Sequence, residues 1–453
     1  MARARSGLQA SRGSGLAGCG TGFTFPPACN GHDIVTDAIT TPRNTDIAII
    51  GSGIVGLSCA FHLQQLGRDC LLIDPHGFGR ETSYGNAGSI SIGNLLPQST
   101  PGIMGKGLGM MFDADAPLKL DYGAWRNWFG WLLRFVREGG KGRVMPIIDA
   151  MHAINTASRD AWLDLAEAID ARELVADTGY LHVYGQESTF EAGAWERQLM
   201  SERGVSYQVL DAQQLRDLEP GIGKEFSRAV FQDQSLAMRD PGQFCQRLGE
   251  ALEACGVQSF RAAVAQFRAE QGGYRIVTDH GSVQAKAVVV AAGAWSNALL
   301  RDFNIRIPVI PARGYHLMYP NQADVVHRPT LWAERYMVLS PMVQGIRMTS
   351  IKELTAIGRD PHYHLIQRRD ADARRLFPGL QGEVRAEWSG YRPCTPDSLP
   401  IIDRLGEHEI YLATGHGHLG LTQAPITGRL VADMMTAREP AIPLAPYRRA
   451  RFD

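Results

Sequence analysis

The residues best placed to do chemistry in this chain are three glycines, Gly51, Gly53 and Gly56, spaced G-x-G-x-x-G directly after the apolar run Asp46-Ile47-Ala48-Ile49-Ile50. A short apolar run of that kind suits a strand buried on both faces. The apolar stretch beyond Gly56 reads as a helix to about Leu66, with Gly67 as its C-terminal signal. Gly51 would permit the tight turn, Gly53 would let backbone amides approach a pyrophosphate, and Gly56 would let helix and strand pack closely. Free N–H groups and the positive end of the helix dipole would face the anion. A second apolar strand, Leu71-Leu72-Ile73, ends at Asp74, close to the position from which an acid accepts a ribose hydroxyl. Strand, helix, strand and terminal acid together favour dinucleotide binding over a purely structural turn, without choosing between a flavin and a nicotinamide.

The surrounding elements must hold that turn in place. Residues 75–105 are rich in Gly, Ser and Asn and read as a long functional loop. Residues 119–137 carry Tyr122, Trp125, Trp128, Phe129, Trp131, Leu132, Leu133 and Phe135 at largely helical spacing, and helical patterns continue over 147–169. Short strands follow at 180–184 and 229–231. Asp240 before Pro241 marks a helix start running to about residue 254. Strands return at 257–264, 273–278 and 287–291, the last leading into Gly293-Ala294-Trp295. Strands dominate 307–350, before a helix at 371–376, a strand at 384–389 and a closing glycine-rich turn and helix over 413–435. This order predicts an α/β nucleotide-binding domain assembled from separate segments, with a strand-rich α+β domain inserted. The expected division is 45–110, 240–300 and 388–437 for the first domain, 111–239 and 301–387 for the second, and 1–44 as an extension or disordered leader.

Composition narrows the class. With 453 residues, 44% hydrophobic and 21% charged, the chain is an ordinary globular protein of two or three domains. A net charge of −1 offers no broad electrostatic capture of nucleic acid. The seven cysteines, at 19, 29, 59, 70, 245, 255 and 394, include no C-x-x-C pair and read as reduced thiols, with no zinc site. The uncharged stretch 47–67 holds too many glycines and polar residues to be a lipid-spanning helix. Residues 1–32 bear Arg3, Arg5 and Arg12 and no acid, faintly like a transit peptide, but a disordered N-terminus is the preferred reading. A cytoplasmic protein is expected.

Four separated segments together resemble the D-amino-acid oxidase superfamily of FAD-dependent oxidoreductases, and within it the bacterial D-amino-acid dehydrogenases and glycine oxidase. They are GSGIVGLSCAFHLQQLGRDCLLID (51–74), ETSYGNAGSIS (81–91), VVVAAGAWS (288–296), and WSGYRPCTPDSLPIID with ATGHGHLGLTQAPITGRL (388–403 and 413–430). The likeness spans about 45–437 in the right order. It implies a Rossmann-type, glutathione-reductase-like FAD fold with non-covalent FAD. Gly51, Gly53, Ile54, Val55 and Gly56 would hold the pyrophosphate and Asp74 the adenosine ribose. Ser83, Asn86, Ala87 and Gly88 would form the loop passing the flavin. Val264 would meet the adenine, with Ala292 and Gly293 at the next strand end. Gly417, His418, Leu419, Gly420, Leu421 and Thr422 would lie at the pyrimidine edge, where a helix-opening turn offers N–H donors to a flavin gaining negative charge.

The same resemblance implies that Arg392 grips a substrate carboxylate, a task suited to its planar fork. Tyr336 stands where related oxidases place a tyrosine over the substrate, and His418 is a further catalytic candidate, with packing and turn-capping as the alternative roles. Sarcosine-oxidase relatives attach flavin through a cysteine five residues before the Thr of Thr-Pro-Asp. That place is Gly390 here, and Cys394 instead lies next to Thr395. The reaction implied is oxidative deamination of a D-amino acid by hydride transfer to flavin N5, giving a 2-oxo acid and ammonia, or a cyclic imine from a D-proline-like imino acid. An accessory flavin subunit, a glycine/sarcosine-type amine oxidase and a nicotinamide dehydrogenase are the rival readings. The electron acceptor would be oxygen or a quinone. Arg126, Arg134 and Arg137 on the aromatic segment make a peripheral contact with the inner membrane a second reading beside ordinary core packing.

Overall fold

The computed structural model describes residues 43–101, 116–322 and 324–453. The expectations for the N-terminal 42 residues, including Cys19 and Cys29, lie outside the described residues.

The first sheet is built on the expected strand–helix–strand unit. Strand β1 (Arg43–Ile50) leads through the glycine turn into helix α1 (Ile54–Gln65) and returns as β2 (Cys70–Ile73). β1 runs parallel to β2 on one side and to β13 (Gly281–Val290) on the other. Parallel neighbours extend the layer outward, with β10 (Gln258–Phe260) beside β2 and β20 (Ile410–Thr414) beside β13. Antiparallel strands finish it: β12 (Gly273–Thr278) against β13, β11 (Val264–Glu270) against β12, and β19 (Ile401–Arg404) against β20. The near-continuous apolar sequence of β1, β2 and the end of β13 follows from burial on both faces. The expected single strand over 257–264 is two, β10 and β11, because the chain leaves one edge of the sheet and re-enters at the other.

The second sheet follows the order β18–β14–β17–β16–β15–β6–β8–β7. Its members are β6 (Tyr180–Tyr184), β7 (Gln208–Leu210), β8 (Arg228–Gln232), β14 (Ile310–Tyr319), β15 (Thr330–Trp332), β16 (Met337–Met342), β17 (Gly345–Leu354) and β18 (Ala386–Cys394), with β4 (Leu118–Leu120) beside β17. Most pairings are antiparallel, and β15–β6 and β17–β4 are parallel. β18 is hydrogen-bonded to β14, so residues 388–394 belong structurally to this sheet. A small third sheet joins β3 (Ser89–Ile90), β9 (Leu236–Met238) and β5 (Val175–Ala176) where the other two layers meet.

The aromatic stretch divides into β4, a short 3-10 turn at Tyr122–Ala124 and helix α2 (Trp125–Glu138), followed by α3 (Lys141–Ala168). Asp240 caps helix α5 (Pro241–Ala254) by accepting from Gln243 N at 2.9 Å, as Asp-Pro predicts. No described helix is long and apolar enough to cross a membrane.

Helix α6 (Gly420–Met435) crosses α1 so closely that a Cβ on Gly428 would lie 2.3 Å from the carbonyl oxygen of Ser58. That contact brings the C-terminal glycine turn beside the N-terminal one. A Gly428→Ala change therefore pushes two helices apart through backbone. It is expected to lower stability by about 1–3 kcal/mol, read as a lower denaturant midpoint at unchanged m-value.

Candidate active site

The parallel strands of the first sheet deliver their C-terminal ends to one crevice, the place where open α/β sheets bind ligands. β1 ends at Gly51, β2 at Asp74, β13 at Ala291-Ala292-Gly293, and β20 at Gly415-His416-Gly417. A cavity of about 1230 Å³ runs from these ends to the second sheet, lined in part by Gly51, Gly53, Ile54, Val55, Asp74, Val264, Ala292 and Gly293. Gly417, His418, Leu419, Gly420 and Leu421 line it from the other turn, and Ser83, Asn86 and Ala87 from the loop between. Gly56, Gly88 and Thr422 are not on the lining and act behind it. A Cβ on Gly56 would fall 1.9 Å from the Gly51 oxygen, and one on Gly88 would fall 2.5 Å from the Met238 oxygen. Thr422 Oγ1 accepts from Ser91 N at 3.1 Å.

The residues present fit a dinucleotide. Gly51 has φ +106°, and a Cβ there would meet the Ala291 carbonyl oxygen at 2.5 Å. Gly53, by contrast, has only the Ser83 hydroxyl nearby, at 3.3 Å, so its face toward the cavity is open. It is also the N-cap of α1 and offers no side chain to the first-turn N–H groups, of which Ile54 N donates to Ser83 Oγ at 3.0 Å. Asp74 accepts from Ser52 N at 2.9 Å and from His76 N at 2.8 Å, tying the end of β2 to the glycine turn.

The loop over 83–88 is held by two residues that carry no sequence motif. Arg347, on β17, is buried and donates to the carbonyls of Tyr84 (2.8 Å) and Asn86 (2.6 Å). His316, on β14, reaches the Gly85 carbonyl with Nδ1 at 3.3 Å and stacks on Trp388 at 5.1 Å between centroids. Trp388 lines the cavity and leaves no room at Gly85 or Gly390, where a Cβ would lie 1.9 and 2.3 Å from its ring. Isolated glycines in a strand and a loop were the available signal for this close approach.

Arg392, on β18, projects into the cavity across Gly314, where a Cβ would meet the guanidinium carbon at 2.3 Å. Its Nη1 donates to the Ile351 carbonyl at 3.1 Å. Ile351 has φ +62°, a left-handed conformation costly for a β-branched residue, at a break in the β14–β17 register. No carboxylate pairs with Arg392 among the described residues, and burial lowers its pKa.

Next to it stands Lys352, whose Nζ donates to Gln98 Oε1 and lies 5.9 Å from the Trp131 ring centroid. That bond turns the Gln98 amide nitrogen toward His418 Nδ1, which accepts at 2.9 Å. The proton of His418 therefore sits on Nε2, which lies 3.1 Å from Asn94 Nδ2, so satisfying it requires the Asn94 amide to turn its oxygen toward the ring. His418 is open to the cavity yet deep in the fold. Burial first, then Lys352 and Arg392, lower its pKa to about 3, so the ring is neutral. His416, buried at the cavity's edge, meets Thr427 Oγ1 with Nε2 at 3.0 Å.

Tyr336 lines the cavity, with φ +46°, and its carbonyl accepts from Ser350 Oγ at 3.2 Å, one residue before Ile351. Glu196, Tyr180 and Tyr184 form the wall beside it. Trp162 of α3 donates to the carbonyls of Leu421 (2.9 Å) and Thr422 (3.0 Å), fixing the first turn of α6. Cys394 is buried under Trp131, and no described cysteine lines the cavity.

A family model described as "DAO: FAD dependent oxidoreductase" matches residues 46–434. The chain is 30% identical over 420 residues to a D-amino-acid oxidase of Bradyrhizobium diazoefficiens, covering 91% of this chain and 100% of that one. It is 33% identical over 412 residues to a D-amino acid dehydrogenase of Chromohalobacter salexigens, covering 87% and 97%. Among solved structures, glycine oxidase from Geobacillus kaustophilus superposes with a TM-score of 0.73 at 21% identity, covering 90% of this chain and 99% of that one.

Two buried histidines of the site make a pH prediction. Burial lowers the pKa of His416 to about 3. Burial and, secondarily, Arg347 bring His316 to about 3 as well, from an ordinary 6.5. Between those values the unfolded chain binds more protons than the folded one, so stability falls as pH drops below 6.5. Each contributes at most about 1.4 kcal/mol per pH unit. Denaturation midpoints between pH 7 and 5 should decline, and less steeply in His416→Gln; an equal slope in the variant would refute the neutral assignment.

Proposed function

Because this chain belongs to the DAO family of FAD-dependent oxidoreductases, we propose that it oxidises D-amino acids at the α-carbon, giving 2-oxo acids and ammonia. The observation that carries this reading is Arg392, an acid-free guanidinium aimed into the cavity beside the Gly417–Leu421 turn. The names of the relatives at 30% and 33% identity support the D-configuration.

In this reading FAD lies without a covalent link along the strand ends. Gly53 and the first N–H groups of α1 face its pyrophosphate, Asp74 its ribose, Val264 its adenine, and the Gly417–Leu421 turn its pyrimidine edge. Ala292 and Gly293 close the end of β13, and Ser83, Asn86 and Ala87 pass the ring. The absence of a described cysteine from the lining, and Gly390 at the position the covalent relatives use, support dissociable FAD. We assign 45–110, 240–300 and 388–437 to cofactor binding and 111–239 and 301–387 to the substrate, except that 388–394, hydrogen-bonded into the second sheet, go with the substrate side. Bound FAD supplies the redox chemistry, accepting the α-hydrogen with its electron pair.

The chain's own residues then bind and orient. Arg392 takes the substrate carboxylate by two charge-assisted hydrogen bonds, and the Ile351 carbonyl keeps the fork from turning. Orientation of the α-carbon follows from that fixed carboxylate. The amine must be neutral for its lone pair to form the C=N bond as the α-hydrogen leaves. Lys352 and Arg392 place two positive charges in the site, which disfavours an ammonium and draws the bound amine toward the neutral form. Neutral His418 holds the turn through Asn94 and Gln98. Water then adds to the imine carbon and ammonia departs; a cyclic imino acid would stop at a cyclic imine.

One surface feature bears on the electron acceptor. Tyr122, Trp125, Phe129 and Leu133 are 63, 51, 48 and 60% exposed, beside Arg126, Arg134 and Arg137, which have no acidic partner among the described residues. An exposed aromatic stripe edged with arginine suits an anionic membrane surface, where a quinone is the acceptor at hand.

Two experiments test these readings. Mixed anaerobically with a panel of D- and L-amino acids, the yellow protein should lose its visible flavin band with D-substrates. Arg392→Ala should lower kcat/KM by about 100-fold or more, the effect of stripping a buried charge of its partner; no bleaching across the panel would sink the proposal. The holoenzyme should co-sediment with phosphatidylglycerol vesicles and lose that binding in a Trp125→Ser/Phe129→Ser variant, whereas equal binding by both would remove α2 as the contact.

A further inference from the structure

The cavity has a second charged wall whose role the proposed reaction leaves unassigned. Glu196, on helix α4 (Ala194–Glu202), lines the cavity and has no hydrogen bond or ion pair to protein among the described residues. Three aromatic rings lie on the same lining, Tyr180 and Tyr184 of β6 and Tyr336; burial above all, and the Glu196 charge in lesser part, raise the pKa of each. His182, between the two β6 tyrosines in sequence, is half-buried, neutral because desolvation lowers its pKa to about 4, and lacks a partner for its buried Nε2; its ring meets Tyr180 edge-on at 4.5 Å. It supplies no counter-charge. Burial lifts the Glu196 carboxyl to about 7 against the opposing pull of Arg197.

This wall touches both halves of the site. Tyr180 shares the lining with Ser89, directly after the 83–88 loop. Tyr336 is tied to Ser350, whose neighbour Ile351 holds Arg392. Yet Glu196 forms no ion pair with Arg392 or Lys352. An amino acid's α-amine is two bonds from its carboxylate carbon, so a head fixed at Arg392 keeps its nitrogen near Arg392. What reaches a carboxylate farther along the cavity is the end of the side chain.

We propose that Glu196 is a specificity-determining residue that pairs with the cationic end, ammonium or guanidinium, of a basic D-amino acid, between the rings of Tyr180, Tyr184 and Tyr336. The inference rests on the D-amino-acid reading above and deepens it. A half-buried carboxylate on the cavity wall, with no protein partner, gains by receiving a cation as a ligand displaces the cavity's solvent, and tyrosine faces favour the same charge. A neutral side chain filling that space would leave the carboxyl shielded without a partner.

The test compares D-arginine with D-citrulline, which has nearly the same shape and no charge, by anaerobic flavin reduction in the holoenzyme. The wild-type enzyme should prefer D-arginine. Glu196→Gln, checked for flavin content and melting temperature, should lower the D-arginine to D-citrulline ratio of kcat/KM by about 10- to 100-fold, the value of a charge-assisted hydrogen bond. Glu196→Asp should restore part of it. No wild-type preference, or an equal loss on both substrates in Glu196→Gln, overturns the assignment while the D-amino-acid reading stands. Failure of every D-amino acid to reduce the flavin overturns both.

Discussion

A half-buried guanidinium that faces a cavity with no carboxylate beside it is the constraint around which this site is arranged. Once a ligand closes that cavity, such a charge left unpaired would be expensive, and the fold offers Arg392 only the Ile351 carbonyl. Even that bond is reached through a left-handed isoleucine, a strain on the order of 1–3 kcal/mol. The opposite strand must carry Gly314, because any side chain there would collide with the guanidinium. Three costs meeting at one residue make sense when an anion completes the site. Under the proposed reaction, Arg392 is the protein's half of an ion pair that the substrate carboxylate completes.

The two large sheets divide the labour. Parallel strands of the first end in glycine turns that present backbone N–H groups, not side chains, to the cavity. Antiparallel strands of the second reach in with long side chains: Arg347 and His316 steady the 83–88 loop, and Lys352 and Arg392 charge the cavity. The close crossing of α1 and α6 brings the two glycine turns together, and Trp162 from α3 locks the second by its indole N–H. A soft packing layer at that crossing would separate the two glycine turns.

Much of the first layer was legible in the sequence because its chemistry is local. Gly51, Gly53, Gly56 and Asp74 act through a turn, a helix end and a strand end that lie within 24 residues of one another. Asp240 before Pro241 capped a helix for the same reason. The second layer was opaque because its contacts are long-range: Lys352 meets Gln98 and Arg347 meets Tyr84 across more than 250 residues. Glu196 carries no motif, and nothing in the local sequence sets it apart from the other charged residues around it. The split of 257–264 into β10 and β11 was hidden because both halves have strand composition; only the layout of the sheet separates them. Gly314 and Gly390, isolated in strand patterns, were the one local trace of the arginine and tryptophan that lie over them.

The account stands most directly on Arg392 binding a carboxylate next to the flavin, and this can be measured without turnover. Oxidised holoenzyme would be titrated with an amino-free carboxylate that cannot be oxidised there, such as benzoate, while the visible flavin band is recorded. The account predicts a saturable spectral shift in the wild-type protein that disappears in Arg392→Met although the variant keeps its flavin. A shift of equal size and affinity in the variant, or no shift in either, would contradict it.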